Sequence, residues 1–258
     1  MKNTFLAAAA VTVLSLPAAA LAEDADFTFT GNVGLYSQYV FRGITQTDED
    51  PAVQGGFDLG HSSGLYAGAW GSNVSWISDF GSSDGGDSLE LDVYAGYRNS
   101  IGETGLGYDL GAIYYWYPGD TLDHFDPDSA EIYGALTYEW IGLKVSWNLD
   151  NYFGYEGNTG SNDSDGSAYY DLYANIPVSE TGITLNLHYG ILDVKHDQAS
   201  PSRLSYNDWK LGATWALPNG FSAGAYFTST DADKDFYTTP TGTDTSDNQV
   251  VVFVSKAL

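Results

Sequence analysis

The chain has 258 residues and carries 34 Asp and Glu against only 9 Lys and Arg, a formal net charge of −25. So acidic a chain cannot neutralise a phosphate backbone, which excludes nucleic acid as a partner. With no cysteine, no disulfide staples it.

At the start, Lys2 precedes an apolar run from Phe5 to Leu16, and Ala20-Leu21-Ala22 offers small residues at the spacing of a cleavage site. This predicts a signal peptide over 1–22, with Glu23 opening the mature chain, because the run is shorter than the roughly 20 residues of a spanning helix. Residues 23–258 then form one exported domain. No later stretch is apolar and long enough to cross a membrane as a helix. A mean hydropathy of −0.21 is compatible with a transmembrane barrel, where only alternate residues meet lipid.

From Phe27 the chain alternates. Phe27, Phe29, Val33, Leu35, Tyr39 and Phe41 occupy one parity; Thr28, Thr30, Asn32, Gln38 and Arg42 occupy the other. Successive side chains of a strand point to opposite faces, so this reads as one long strand. An acidic break at Thr47 to Pro51 leads to a second run, with Val53, Phe57 and Leu59 opposite Gln54 and Asp58.

Twelve runs of this kind are predicted, at 27–44, 52–61, 65–78, 88–98, 105–117, 129–140, 142–155, 167–178, 183–194, 206–217, 221–230 and 248–257, with no helix. The third has apolar residues at both parities, which a bulge would explain. Connections after even-numbered runs are short, and those after odd-numbered runs are long and mostly acidic. A soluble sandwich has no reason to sort its loops this way. An all-β, antiparallel transmembrane β-barrel of about 12 strands does, with tight turns at one rim and long loops at the other.

The aromatic residues fit that reading. Tyr97, Trp140, Trp215 and Phe221 fall at short-turn ends, while Tyr114, Trp116, Trp209 and Phe227 fall at long-loop ends, as two interfacial girdles would. Val250, Val252, Val254 and Leu258 share the last outward face, interrupted by Lys256. Such barrels usually finish on Phe or Trp, and this chain departs from that pattern.

The tract Ser37-Gln38-Tyr39-Val40-Phe41-Arg42-Gly43-Ile44-Thr45-Gln46, the acidic loop, and Pro51-Ala52-Val53-Gln54-Gly55-Gly56-Phe57 resemble the N-terminal signature of the TorF porin family. These are proteobacterial outer-membrane proteins of unknown function. The resemblance implies a barrel with a channel role and supplies no catalytic residues.

The polar face supplies the site candidates: Arg42, Gln54, Asp58, Glu90, Asp92, Asp109, Glu131 and Lys210. Arg42 is expected near the outer end of the first strand, with Gln54 and Asp58 beside it. It either pairs with internal carboxylates to hold the wall or filters solute. Adding Glu139, Asp150, Asp171 and Asp208 to the acids, and Arg98 and Lys144 to the bases, leaves the predicted lumen negative. One-signed rings select the opposite ion, whereas internal salt bridges would fill a narrow bore.

The loop acids at Asp120 to Asp128 and at Asp163 to Gly166 complete no calcium-loop pattern, and the histidines show no ligand spacing. No metal, cofactor or catalytic residue is therefore expected. His188 has no marked nucleophile beside it, which argues against a hydrolase. The expected partners are outer-membrane lipid, lipopolysaccharide and small hydrophilic solutes. The function expected is passive, cation-preferring diffusion, with a non-conducting structural or adhesive barrel as the alternative.

Overall fold

Strand alternation produces a wall with an apolar outside and a polar inside. In this computed structural model, residues 26–81, 89–118, 126–155, 164–197 and 204–258 are described. The expected leader lies outside them, as do the loop residues 120–125 and Asp163 of the acidic tracts. The strands are β1 (Phe27–Tyr36), β2 (Val40–Phe41), β3 (Ile44–Thr45), β4 (Ala52–His61), β5 (Leu65–Asn73), β6 (Leu89–Ser100) and β7 (Leu106–Trp116). They continue with β8 (Ser129–Tyr138), β9 (Ile141–Asn148), β10 (Ala168–Pro177), β11 (Ile183–Asp193), β12 (Tyr206–Ala216), β13 (Phe221–Thr230) and β14 (Gln249–Ala257).

β1 and β4 to β14 close into one barrel, in which every neighbouring pair is antiparallel; β2 and β3 form a separate two-stranded sheet. Closure matters physically, because lipid offers no hydrogen bonds to an open sheet edge. The seam between β1 and β14 runs from Asn32↔Ala257 to Tyr36↔Phe253. Leu258 N–H donating to the Gly31 carbonyl (2.8 Å) and Ser37 N–H donating to the Val252 carbonyl (2.9 Å) extend it at both ends.

The outer face is the one alternation predicts. Phe29 (59% exposed), Leu110 (57%) and Val250 (62%) are exposed along it, as are Trp140, Trp215, Trp116 and Trp209 toward the rims. A soluble protein would not leave so continuous an apolar belt in water. The belt marks a bilayer-spanning barrel, and the chain is an outer-membrane protein. Lys256 does not spoil it. Its ammonium lies over the Phe221 ring (4.5 Å to the centroid) and donates to the Asn219 carbonyl at the short-turn rim, a snorkelling geometry.

Three expectations need correction. The first strand ends at Tyr36, not at residue 44; beyond it the chain leaves the wall. The third strand carries no bulge, since its registers run without a break from Gln54↔Ser72 to Gly60↔Tyr66 and from Leu65↔Tyr97 to Asn73↔Leu89. Apolar residues occur at both of its parities because Tyr66 and Trp70 face the interior. Finally, the long loops do contain short helices, α1 (Trp76–Gly81) and α2 (Lys234–Tyr237). Val74 and Ile77 are buried, packing α1 and the turn before it against Tyr39.

The Gly55-Gly56 pair also gains a physical reason. A Cβ on Gly56 would lie 2.6 Å from the Ala69 carbonyl oxygen and 3.3 Å from Trp70 Cα, both backbone atoms of β5. Gly56→Ala should therefore push strands apart and cost about 1–3 kcal/mol of overpacking. We expect a lower temperature for the heat-induced shift in gel mobility. Gly134→Ala, which meets only the flexible end of Leu110 at 3.3 Å, should leave that temperature unchanged.

Candidate functional site

The segment after β1 enters the barrel. Ser37 pins its departure through the donation to Val252 O and by accepting from Val252 N–H (3.0 Å) at its own Oγ. The chain then makes a hairpin in which Val40 pairs with Thr45 and Phe41 with Ile44. The two connecting residues, Arg42 (φ 48°) and Gly43 (φ 82°), both have positive φ, as a tight two-residue hairpin loop requires. Glycine is needed at 43 for space as well, since a Cβ there would meet Thr230 Cγ2 at 2.5 Å and Asp208 Cβ at 2.8 Å. The tip thus rests on the wall of β12 and β13.

Arg42 fastens that tip. Its Nη2 donates to both carboxylate oxygens of Glu131 on β8 (2.7 and 2.9 Å), and Glu131 is only 1% exposed. The guanidinium carbon lies 4.7 Å from the Phe41 ring centroid and 4.4 Å from that of Tyr169. From β12, the Tyr206 hydroxyl donates to the Arg42 carbonyl (2.8 Å). The base of the hairpin is tied by Gln38 Nε2 to Gln249 Oε1 (2.8 Å), Thr45 N–H to Thr245 O (3.0 Å) and Ser75 N–H to Gln46 O (2.8 Å).

Around this plug the lumen divides in two. Over β4 to β8 it is filled by tyrosine–carboxylate pairs. The Tyr39 and Tyr117 hydroxyls donate to Glu90 (2.9 and 3.0 Å), Tyr94 donates to Asp58 (2.7 Å) and Tyr66 donates to Asp109. Arg98 sits over the Tyr66 ring at 4.5 Å. Phenol donors let carboxylates occupy a narrow space without an equal number of cations.

Between that filling and the wall of β9 to β13 lies a chamber of about 260 Å³, bounded on the filled side by Gln54, Asp92 and Tyr115 and reaching from Phe41, Arg42 and Gly43 down to Thr184 and Thr214 near the short-turn rim. His188 on β11 is held between Asp171 (Nδ1, 2.6 Å) and Asp208 (Nε2, 2.7 Å), and the Tyr169 hydroxyl donates to Asp208 (2.9 Å). The ammonium of Lys144 stands 4.1 Å from the Tyr133 ring centroid, and that of Lys210 5.4 Å from that of Tyr226.

Of the residues read from sequence, Arg42, Gln54, Asp92 and Lys210 come together in the chamber wall. Asp58, Glu90 and Asp109 belong to the filled half, while Glu131 anchors the plug. Arg42 is not on β1 and does not pair with Gln54 or Asp58. Its partner comes from across the barrel. Glu139 is exposed in the turn after β8, and Asp150, beyond β9, accepts from Ala130 N–H at the long-loop rim (3.0 Å). Neither belongs to the lumenal face. Tyr39 and Phe41, expected toward lipid, are inside. The inward aromatic set that includes Tyr115, Tyr169 and Tyr206 escaped the sequence reading. Its signal is the recurrence of Tyr at the polar parity, as at Tyr94 between Asp92 and Arg98.

Removing one partner of a buried ion pair leaves the other charge uncompensated, at a cost of about 3–5 kcal/mol. Arg42→Met should therefore lower the unfolding midpoint strongly. Arg42→Met combined with Glu131→Leu should recover most of the loss. Chemical unfolding of these two variants and of Glu131→Leu alone in detergent measures both effects, and additive losses would show that the pair is not coupled.

No curated protein matches the sequence. Among solved structures, the fold is similar to the NanC porin, with a TM-score of 0.56 at 10% identity over 88% of this chain and 100% of that one. It is also similar to the KdgM porin, with a TM-score of 0.50 at 4% identity over 89% of this chain and 98% of that one. At such identities the likeness concerns the fold: a closed antiparallel barrel of the porin kind. The family model that matches spans residues 20–258, and the chain accordingly belongs to Gcw_chp, a family of bacterial proteins of unknown function.

Proposed function

We propose that the protein is a porin-like outer-membrane channel for passive diffusion of small hydrophilic solutes, not an enzyme, and that it prefers cations. Residues 1–22 act as its export signal and 23–258 as the barrel. One observation carries the channel reading: a chamber of about 260 Å³ that charged and polar side chains enter lies inside a barrel whose outside is apolar. The resemblance of residues 37–57 to the TorF porins and the porin names of the two similar barrels support it.

Cation preference follows from charge. Asp58, Glu90, Asp92, Asp109, Glu131, Asp171 and Asp208 on the inner side outnumber Arg42, Arg98, Lys144 and Lys210. The outer rim adds Asp48, Glu49, Asp50 and Asp79. Burial first, and then the charges of Asp48 and Asp50, hold Asp79 above the ordinary carboxylate range. A negative mouth concentrates cations within a Debye length, about 8–10 Å at ordinary salt. The same acidic loops suit lipopolysaccharide bridged by divalent cations.

The plug favours one second reading. A hairpin seated across the lumen, beside a half filled with tyrosines, also fits a non-conducting structural barrel. Planar-bilayer recording separates the two, since discrete current steps are expected from a channel and silence from correctly folded protein would leave the structural barrel. Under a potassium chloride gradient, we expect a reversal potential on the cation side. It should shrink as salt rises, and shrink again as pH falls and rim carboxylates such as Asp79 take up protons. Anion preference at low salt would refute the charge argument.

A further inference from the structure

Most charges in the chamber wall are answered by the protein itself. Asp171 and Asp208 take the two ring nitrogens of His188, and Arg42 gives Nη2 to Glu131. Two cations are left over, together with Asp92, whose Oδ1 is buried without a hydrogen-bond partner among the described residues. Among the described residues, neither Lys144 nor Lys210 has a carboxylate within 4.0 Å, and each ammonium lies over a tyrosine ring instead. Arg42 Nη1 is also buried without a hydrogen-bond partner among those residues.

Donors of this kind, drawn away from bulk water, gain from an anionic acceptor, because a ring face replaces only part of lost hydration. All three line the same cavity. Lys144 on β9 and Lys210 on β12 flank the wall of β10 and β11, which carries Asp171 and His188. Toward the short-turn rim that wall turns neutral and polar: Asn186 donates to Asn175 (2.8 Å), and Thr214 donates to Asn186 (2.8 Å).

We propose that this chamber is a binding site for the carboxylate of a small hydroxylated solute, held by Lys144 and Lys210 with Arg42 Nη1 as a third donor. The amide and hydroxyl groups of Asn175, Asn186 and Thr214 meet the solute's own hydroxyls. A single negative charge suits the site better than a doubly charged anion, because Asp92, Asp171 and Asp208 line the same space. The site rests on the channel reading only for the route by which the solute arrives.

Isothermal titration calorimetry on the full-length barrel in non-ionic detergent tests the site, with lactate as probe, glycerol as neutral control and inorganic phosphate as doubly charged competitor. Saturable lactate binding is expected, with weaker binding of phosphate and none of glycerol. Lys144→Met with Lys210→Met should weaken lactate at least tenfold. If that protein does not fold, Lys210→Gln alone should weaken it at least threefold. No saturable lactate binding, or equal affinity in the folded variants, would overturn the site. Phosphate binding as tightly as lactate would overturn the carboxylate assignment. Because calorimetry needs no current, binding to a barrel silent in bilayers would refute the channel and keep the site. Current without binding would do the reverse.

Discussion

A guanidinium buried inside a barrel must meet a carboxylate, and the pairing of Arg42 with Glu131 meets that demand at the centre of the molecule. The hairpin tip it secures is itself strained, since a non-glycine residue at positive φ costs on the order of 1–3 kcal/mol. The ion pair, the ring faces of Phe41 and Tyr169 and the bond from Tyr206 hold that conformation together. With the tip fixed, Phe41 and Gly43 form one end of the chamber, and Tyr39 and Ile44 are buried in the apolar clusters on the two sides of the hairpin.

Two demands therefore shape the same strands. Lipid requires an unbroken hydrogen-bonded wall and an apolar exterior, which fixes parity from β1 to β14. The interior must then hold the charges that parity sends inward. It does so in two ways, by phenol donors over β4 to β8 and by His188, Lys144 and Lys210 over β9 to β12. The first arrangement fills space. The second leaves the chamber beside it.

The wall was legible in the sequence because lipid imposes a period of two on every strand. β4 and β13 match their expected bounds, and long and short connections alternate as the loop lengths indicated. The plug was not legible, because the parity of β1 continues through Tyr39 and Phe41 after the chain has left the wall. The dipeptide Arg42-Gly43 was the available turn signal, but an arginine in such a position is a poor match to the usual Asn-Gly or Asp-Gly. Its partner could not be read either. Parity places Glu131, Asp58 and seven further acids as equivalent candidates, while contact across a barrel depends on closure and not on sequence distance. The interior tyrosines were missed for a related reason: the aromatic signal of a membrane girdle and that of a lumen filler have the same composition and differ only in parity.

Because the chain has no cysteine, the seat of the hairpin is open to direct chemical measurement. Cysteines introduced at Arg42 and Glu131 should be joined by a short bifunctional thiol reagent in intact outer membranes, with a change in gel mobility. A cysteine at Leu136 on the lipid face should not join to position 42. Efficient linkage of 42 to 131 is the result that a hairpin seated in the lumen requires. Absence of that linkage while both thiols react singly, or equal linkage to 136, would contradict it.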